Sequence, residues 1–248
     1  MSDGPTPQAF VGFSGGKDST AMALRLWELG EKFELLFTPA GNEPLDVFKH
    51  IDRVAEIIGA KIVQPPGPDL RECITKNKML PNHWARFCTR QIKIEPCQKY
   101  LDQFPGSILY IGFRADEDEE DRPGGRYYDC EYRTPMRDWG WGLEEVWAKC
   151  EEYDVLPPER TDCKLCYGQR LEEWYKLWLN DPEGYQEGVD YEKEYGHTFR
   201  SNGRDSWPAS LADLRSRFEG GERPRNLTLP DEMLFDMRDL SGCRICKM

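Results

Sequence analysis

Six residues, Ser14-Gly15-Gly16-Lys17-Asp18-Ser19, separate an apolar run from an amphipathic one. Ahead of them Ala9 to Phe13 (AFVGF) is short and apolar, the pattern of a buried strand. Behind them Thr20 to Leu29 has helical spacing, with Met22, Leu24, Leu26 and Leu29 apolar and Gly30 as a stop. A glycine-rich turn from strand to helix gathers free amides and the positive end of a helix dipole at one point. The two glycines let the backbone approach a phosphate closely. Lys17 adds a charge, and Ser14 and Ser19 add hydroxyl donors. The stretch is not a Walker A loop: Val11 stands where that pattern needs Gly, and Asp18 follows the lysine where it needs Ser or Thr. The plain alternative is an ordinary strand-to-helix turn with a serine cap.

The alternation continues. Glu34 to Thr38 (ELLFT), Lys61 to Val63 and Ser107 to Phe113 (SILYIGF) read as strands. Leu45 to Ile58 reads as a helix with Val47, Ile51, Val54, Ile57 and Ile58 on one face and Gly59 as its cap, and Ile92 to Leu101 as another. Strands alternating with helices imply βαβ units, so the expected fold is α/β, a doubly wound parallel sheet. The texture changes near residue 114. Residues 115–121 (ADEDEED) are almost wholly acidic, a Gly/Arg/Tyr-rich loop runs to Tyr132, and a Trp-rich helix spans roughly 143–152. Pro157 and Pro158 make a boundary. The expected division is a nucleotide-loop domain over 1–160 and a smaller helical, Cys-rich region over 161–248, with a helix at Leu211 to Phe218. The alternative is a single fused domain with the tail packed on the sheet edge.

Lys and Arg number 33 against 45 Asp and Glu, a net charge of -12. Such a chain repels phosphate backbones as a whole, which disfavours non-specific nucleic-acid binding but leaves room for a local basic pocket. No apolar run approaches the roughly 20 residues that span a bilayer, and no basic-then-apolar leader opens the sequence. With 9 cysteines, an odd count, the expected compartment is a reducing cytoplasm. Cys163-Lys164-Leu165-Cys166 and Cys243-Arg244-Ile245-Cys246 are two Cys-x-x-Cys knuckles. Together Cys163, Cys166, Cys243 and Cys246 make a tetrahedral thiolate set for zinc or an iron–sulfur cluster, tying the tail to the core. One pair being incidental is the bland reading. Cys73, Cys97, Cys130 and Cys150 read as small buried hydrophobes.

The Ser14–Ser19 loop resembles the PP-loop of the N-type ATP pyrophosphatases, and the wider pattern resembles the phosphoadenosine phosphosulfate (PAPS) reductase branch. Four further stretches carry the likeness: Phe37-Thr38-Pro39-Ala40-Gly41-Asn42-Glu43, Phe87-Cys88-Thr89-Arg90-Gln91-Ile92-Lys93-Ile94-Glu95-Pro96, Gly112-Phe113-Arg114-Ala115-Asp116-Glu117 on to Arg122, and Pro135 to Trp147. The resemblance implies that Ser14, Gly15, Gly16, Lys17, Asp18 and Ser19 hold the phosphates of an adenine nucleotide, with Thr38 and Asn42 beside it. It implies that Arg114 clamps a phosphate or sulfonate, and that Lys17, Asp18 and Arg114 carry the chemistry. Arg114 pairing with its acidic neighbours, and Lys93 as a solvated helix residue, are the plain alternatives. The iron–sulfur type of that branch also implies Cys88 as an alternative ligand beside Cys163 and Cys166, and favours a [4Fe-4S] cluster over zinc.

Three functions follow from the likeness. The first is an ATP-dependent adenylating enzyme that forms AMP and pyrophosphate and couples to sulfur transfer onto a small molecule or nucleobase, with magnesium as a further cofactor. The second is a sulfonucleotide reductase acting on PAPS or its unphosphorylated relative APS. The third is a non-catalytic nucleotide-binding subunit.

Overall fold

β1 (Ala9–Gly12) is paired along both edges, and everything else is laid out around it. The computed structural model describes residues 8–117, 129–225 and 227. β1 runs parallel to β2 (Glu34–Leu36) on one side and to β4 (Ile108–Tyr110) on the other. β3 (Ile62–Val63) lies outside β2, and β5 (Glu131–Arg133) outside β4, both parallel to their neighbours. The order β3-β2-β1-β4-β5 means that the chain winds outward from β1, crosses back after β3, and winds the other way. At that reversal, between β1 and β4, an open parallel sheet leaves a crevice beyond its carboxyl ends.

Alternate strand residues face opposite layers. Ala9, Val11, Leu35, Ile108 and Tyr110 pack with residues of α1 (Lys17–Glu28), α2 (Leu45–Ile58) and α6 (Leu143–Glu152). Phe10, Leu36, Val63 and Leu109 pack on the other face with Cys97 and Leu101 of α4 (Glu95–Leu101). The sheet is therefore wound on both faces, as the sequence pattern implies. A further core lies beside it. Leu70, Cys73 and Ile74 of α3 (Leu70–Asn77) and Ile92 of a π-helical stretch, Thr89–Ile94, meet Trp174, Tyr185, Val189, Leu214 and Phe218. The last five come from α7 (Leu171–Asn180), α8 (Pro182–Tyr195) and α9 (Leu211–Glu219). A four-residue turn of helix, Pro135–Asp138, is α5, between β5 and α6 in the chain.

Most elements stand where the spacing puts them, and α2 has the expected bounds. Three differences have physical causes. α1 begins at Lys17 rather than Thr20, because the loop's own polar residues already form its first turn. β5 lies in the stretch expected to be loop; only Tyr132 of its three residues packs against a core, so no apolar run marks it. α3 follows the proline-rich loop and is short, but its start is a reciprocal cap. Asp69 Oδ1 accepts the Glu72 N–H, and Glu72 Oε2 accepts the Asp69 N–H. The expected acidic run falls partly, and the expected tail ligands Cys243 and Cys246 wholly, outside the described residues.

Two buried titratable groups oppose each other with pH. Burial lowers His50 on α2 to about 4, against a partly offsetting bond to the Leu156 backbone, and its Nε2 meets Thr20 Oγ1 at 2.9 Å. Burial raises Glu192 on α8 to about 7, although its carboxylate accepts the N–H groups of Phe199 and Leu211 at 2.9 and 2.7 Å. A histidine with a depressed folded value contributes stability above its unfolded value near 6.5, lost as pH falls towards 4. A carboxyl with a raised folded value costs stability as pH rises from 4.5 through 7. Between pH 4.5 and 6.5 the two slopes cancel in part. Glu192→Gln removes the falling arm, so its stability should climb by about 2 kcal/mol across that window while the wild type changes less. Denaturant titrations at successive pH values check this; parallel profiles for the two proteins refute it.

Candidate functional site

The Ser14–Ser19 loop leaves β1 at the crevice and is braced by its own hydroxyls. Ser19 Oγ donates to the Gly16 carbonyl (3.1 Å) and accepts the Ser14 N–H (3.3 Å); the two serine oxygens lie 3.4 Å apart. The Gly16 N–H points to Ser14 Oγ at 3.4 Å. Gly15 has φ +75, and a Cβ there would sit 3.1 Å from Ile51 on α2, so both conformation and space call for glycine. From the other side Gly112, just past β4, brings its backbone against the first turn of α1. A Cβ on it would lie 3.4 Å from Asp18 C and Ser19 N. That first turn begins with amides that lack intrahelical partners.

Behind the loop, Thr20 is held by His50, and the Cys150 thiol of α6 donates to the Lys17 carbonyl at 3.7 Å. Burial, with Asp18 nearby, pushes that thiol up to about 12, so it stays protonated and keeps donating. Spacing gave no sign of either contact, since both partners come from distant helices.

The charges converge on Arg114. Lys17 is only 5% exposed, with Nζ 3.7 Å from Asp18 Oδ2. Arg114 Nη1 lies 3.0 Å from Asp18 Oδ1 and 3.7 Å from Glu117 Oε1, and its Nε 2.7 Å from Asp116 Oδ1. Burial works against the guanidinium's charge, but Asp18, Asp116 and Glu117 outweigh it and raise its pKa. Burial likewise raises Asp116, yet Arg114 and the Leu143 N–H hold its carboxyl below the usual range. Lys17, Asp18 and Arg114 are thus brought together, while Arg114 makes the acidic contacts of the plain alternative. Among the described residues no group of three or more His, Cys, Asp or Glu side chains is gathered as for a metal ion.

The segment after β2 links the crevice to the C-terminal helices. Thr38 is buried at the strand end. Glu43 is also buried and folds back, its Oε1 accepting the Ala40 N–H (2.5 Å) and its Oε2 the Asn42 N–H (3.1 Å). Asn42 then reaches the Cys163–Cys166 turn. Its carbonyl accepts the Lys164 N–H at 2.7 Å and its Oδ1 the Leu165 N–H at 3.0 Å. The turn is closed by the Cys166 N–H to the Cys163 carbonyl at 3.2 Å. It is framed by Arg160, which donates to Gln169 Oε1 (2.6 Å) and to the Cys163 carbonyl (2.9 Å), and by Gln169, which donates to the Lys164 carbonyl. Glu43, Arg160 and Gln169 were not singled out by sequence; Glu43 sits in the quoted motif, but no spacing marks the other two.

Cys163 and Cys166 share one tight turn, and thiolate is the donor chemistry that zinc and iron–sulfur groups take. Cys88 and Cys163 both pack against the core of α3 and α7–α9, but with Cys166 they do not gather as a three-ligand group. The other two expected ligands lie outside the described residues.

Residues 8–147 match the phosphoadenosine phosphosulfate reductase domain family. An uncharacterized protein of Methanocaldococcus jannaschii is 24% identical over 229 residues, covering 85% of this chain and 55% of its own. The chain thus spans about half the length of that curated relative. Among solved structures, phosphoadenylyl-sulfate (PAPS) reductase from Candida auris is similar with a TM-score of 0.47 at 16% identity, covering 62% of this chain and 77% of that one. The U34-tRNA thiolase NcsA from Methanococcus maripaludis, with its [4Fe-4S] cluster, gives 0.46 at 17%, covering 98% and 80%. NMN synthetase from Francisella tularensis gives 0.45 at 15%, covering 91% and 89%.

Removing the Asn42 side chain tests the link between crevice and turn. Asn42→Ala should cost about 1 kcal/mol, one hydrogen bond to a part-buried amide, and speed amide exchange at Leu165. Asn42→Asp keeps the acceptor and should restore protection. Unchanged exchange in the alanine variant would mean that the backbone bond to Lys164 holds the turn alone.

Proposed function

The chain belongs to the phosphoadenosine phosphosulfate reductase domain family, and from that premise we propose that it binds ATP in the Ser14–Ser19 loop and adenylates a substrate for sulfur transfer. The observation that carries this reading is the loop's place. It lies at the strand-order reversal, begins a helix, and carries a lysine that is almost wholly buried. Asp18 answers that charge in the free protein, with Lys17 Nζ 3.7 Å from its Oδ2, and a phosphate in the loop would share the pairing.

In this mechanism an oxygen of the substrate attacks the α-phosphorus of ATP, pyrophosphate leaves, and a sulfur nucleophile then displaces AMP. The amides of the loop and the first turn of α1 bind the phosphates. Lys17 and Arg114 stabilise the charge that builds on the leaving pyrophosphate. Asp18 orients both cations. Rate would come from positioning and preorganised charge, with no protein nucleophile required. A zinc ion or iron–sulfur cluster held by Cys163, Cys166, Cys243 and Cys246 would anchor the tail and, if iron–sulfur, supply sulfur or redox chemistry.

Lys17→Ala removes a charged donor while leaving the amides. ATP affinity by calorimetry should fall by about 1.5–3 kcal/mol. An unchanged affinity refutes the loop assignment. Product analysis separates the remaining readings: AMP and pyrophosphate from ATP support adenylation, and sulfite released from PAPS without AMP formation from ATP replaces it with sulfonucleotide reduction. Binding with no turnover of either nucleotide points to a non-catalytic subunit.

The double variant Cys243→Ser/Cys246→Ser should lose bound metal and gain protease sensitivity beyond about residue 220, because metal binding energy here is folding energy. Full metal content in that variant refutes the tetrad. Loss of metal in Cys88→Ser with the tail pair intact moves the site to Cys88.

A further inference from the structure

Residues 71–100 differ from the rest of the chain in charge. They hold seven Lys and Arg against Glu72 and Glu95, a net of +5 within a chain of net charge -12. The fold gathers part of this charge on one loop. Asn77 Nδ2 donates to Gln91 Oε1 at 3.1 Å, and Gln91 Nε2 returns to Asn77 Oδ1 at 3.4 Å. This amide pair ties residues 78–90, which run into the Thr89–Ile94 π-helix, at their base into a compact surface loop. Leu80 and Pro81 are buried and root it. Lys76 and Lys78 stand exposed at its foot. Arg71 and Arg90 are engaged with Glu187 and Glu95, at 3.0 and 2.7 Å, so they contribute less.

At the tip, Asn82 Oδ1 accepts the N–H groups of Trp84 and Ala85, each at 2.9 Å, and the Asn82 N–H donates to the Ala85 carbonyl at 3.3 Å. The backbone of Trp84 is therefore held, yet its side chain is 98% exposed. A tryptophan usually hides most of its surface, and leaving so large an apolar ring in water forgoes a large burial gain. Beside it, His83 packs edge-on against Tyr167 with ring centroids 5.1 Å apart. Tyr167 follows Cys166, so the loop borders the cysteine turn, which Asn42 in turn joins to the crevice.

We propose that this loop is a docking surface for single-stranded nucleic acid, with a base stacked on Trp84 and phosphates near Lys76 and Lys78. A flat aromatic flanked by cations is the arrangement that binds unpaired strands, because every base has a stacking face. Charge complementarity selects this patch. The remainder of the chain has a net charge of opposite sign and repels a polyanion, so a strand is steered to this strongly basic segment. The inference deepens the function above by naming the class of its sulfur acceptor and rests on that reading for the reaction, while binding itself does not depend on ATP.

Fluorescence anisotropy with a labelled 12-nucleotide oligouridylate and the full chain, without ATP, tests it. Affinity should fall as salt rises, with a log–log slope of about -0.7 for each phosphate engaged. Trp84→Ala should weaken binding about tenfold, the loss of one base stack, and Trp84→Phe should recover most of it. Lys76→Glu/Lys78→Glu should weaken binding and flatten the salt slope by about 1.4. Calorimetric ATP affinity of the Trp84→Ala protein should be unchanged, so failure of this inference is told apart from failure of the nucleotide reading. Equal oligouridylate affinity for wild type and Trp84→Ala overturns the proposal. So does competition by polyglutamate as strong as that by RNA, which would make the patch a site for an acidic protein.

Discussion

The parallel pairing of β1 on both of its edges is the constraint from which the rest of the molecule follows. A strand with β2 on one side and β4 on the other has both faces covered, which is why AFVGF reads as a continuous apolar run rather than an alternating one. The same pairing forces the two crossovers to leave in opposite directions, and their divergence is what opens the crevice. The loop after β1 can fill that crevice only because the backbone beside it is bare. Gly15 yields to Ile51 from α2, and Gly112 yields to the first turn of α1. The site is a consequence of strand order before it is a consequence of any charged residue.

The connection to the C-terminal helices is made by polar groups. The Cys163–Cys166 turn carries backbone donors and acceptors that burial would otherwise strand, and it satisfies them through Asn42, Arg160 and Gln169. Glu43 plays the matching part on the other side, closing the segment after β2 with two backbone bonds. The geometry of the cysteine pair is therefore set from the segment after β2 through hydrogen bonds. The cores behind it supply the stiffness, with Leu165 and Trp174 fully buried near α3.

What could be read from the sequence was whatever has a short period or a dense local composition. The Ser14–Ser19 loop, α2 with its apolar face, and the three apolar strands β1, β2 and β4 all have that character. β5 does not, because an edge strand with one packed residue looks like loop. α3 carried a legible signal in Asp69 and Glu72, but its apolar face is only Leu70, Cys73 and Ile74. Contacts such as Cys150 to Lys17 or Asn42 to Leu165 join residues more than a hundred positions apart, and no spacing rule reaches them. Asn42 shows the limit in both directions. Family likeness singles it out as a nucleotide neighbour, while its bond to the cysteine turn could appear only in three dimensions.

The electrostatics of the crevice explain why its backbone matters as much as its lysine. Lys17 and Arg114 supply two positive charges, and Asp18, Asp116 and Glu117 supply three negative ones within the same small volume. Side chains alone leave that volume net negative, which works against the triphosphate of the proposed function. Two sources of compensation are available without moving the fold. One is the first turn of α1, where the helix dipole presents positive potential at the end of the loop. The other, under the proposed function, is the cation that would accompany ATP. Arg114 is held from three sides and keeps its charge, so it acts as a rigid counter-charge against the carboxylates. Those carboxylates in turn stop two cations from repelling each other across a few ångströms before any ligand is bound. The acidic residues beside Arg114 thus have a use in the free protein that needs no metal. They hold Lys17 and Arg114 beside each other, a task that an anion bound there would share.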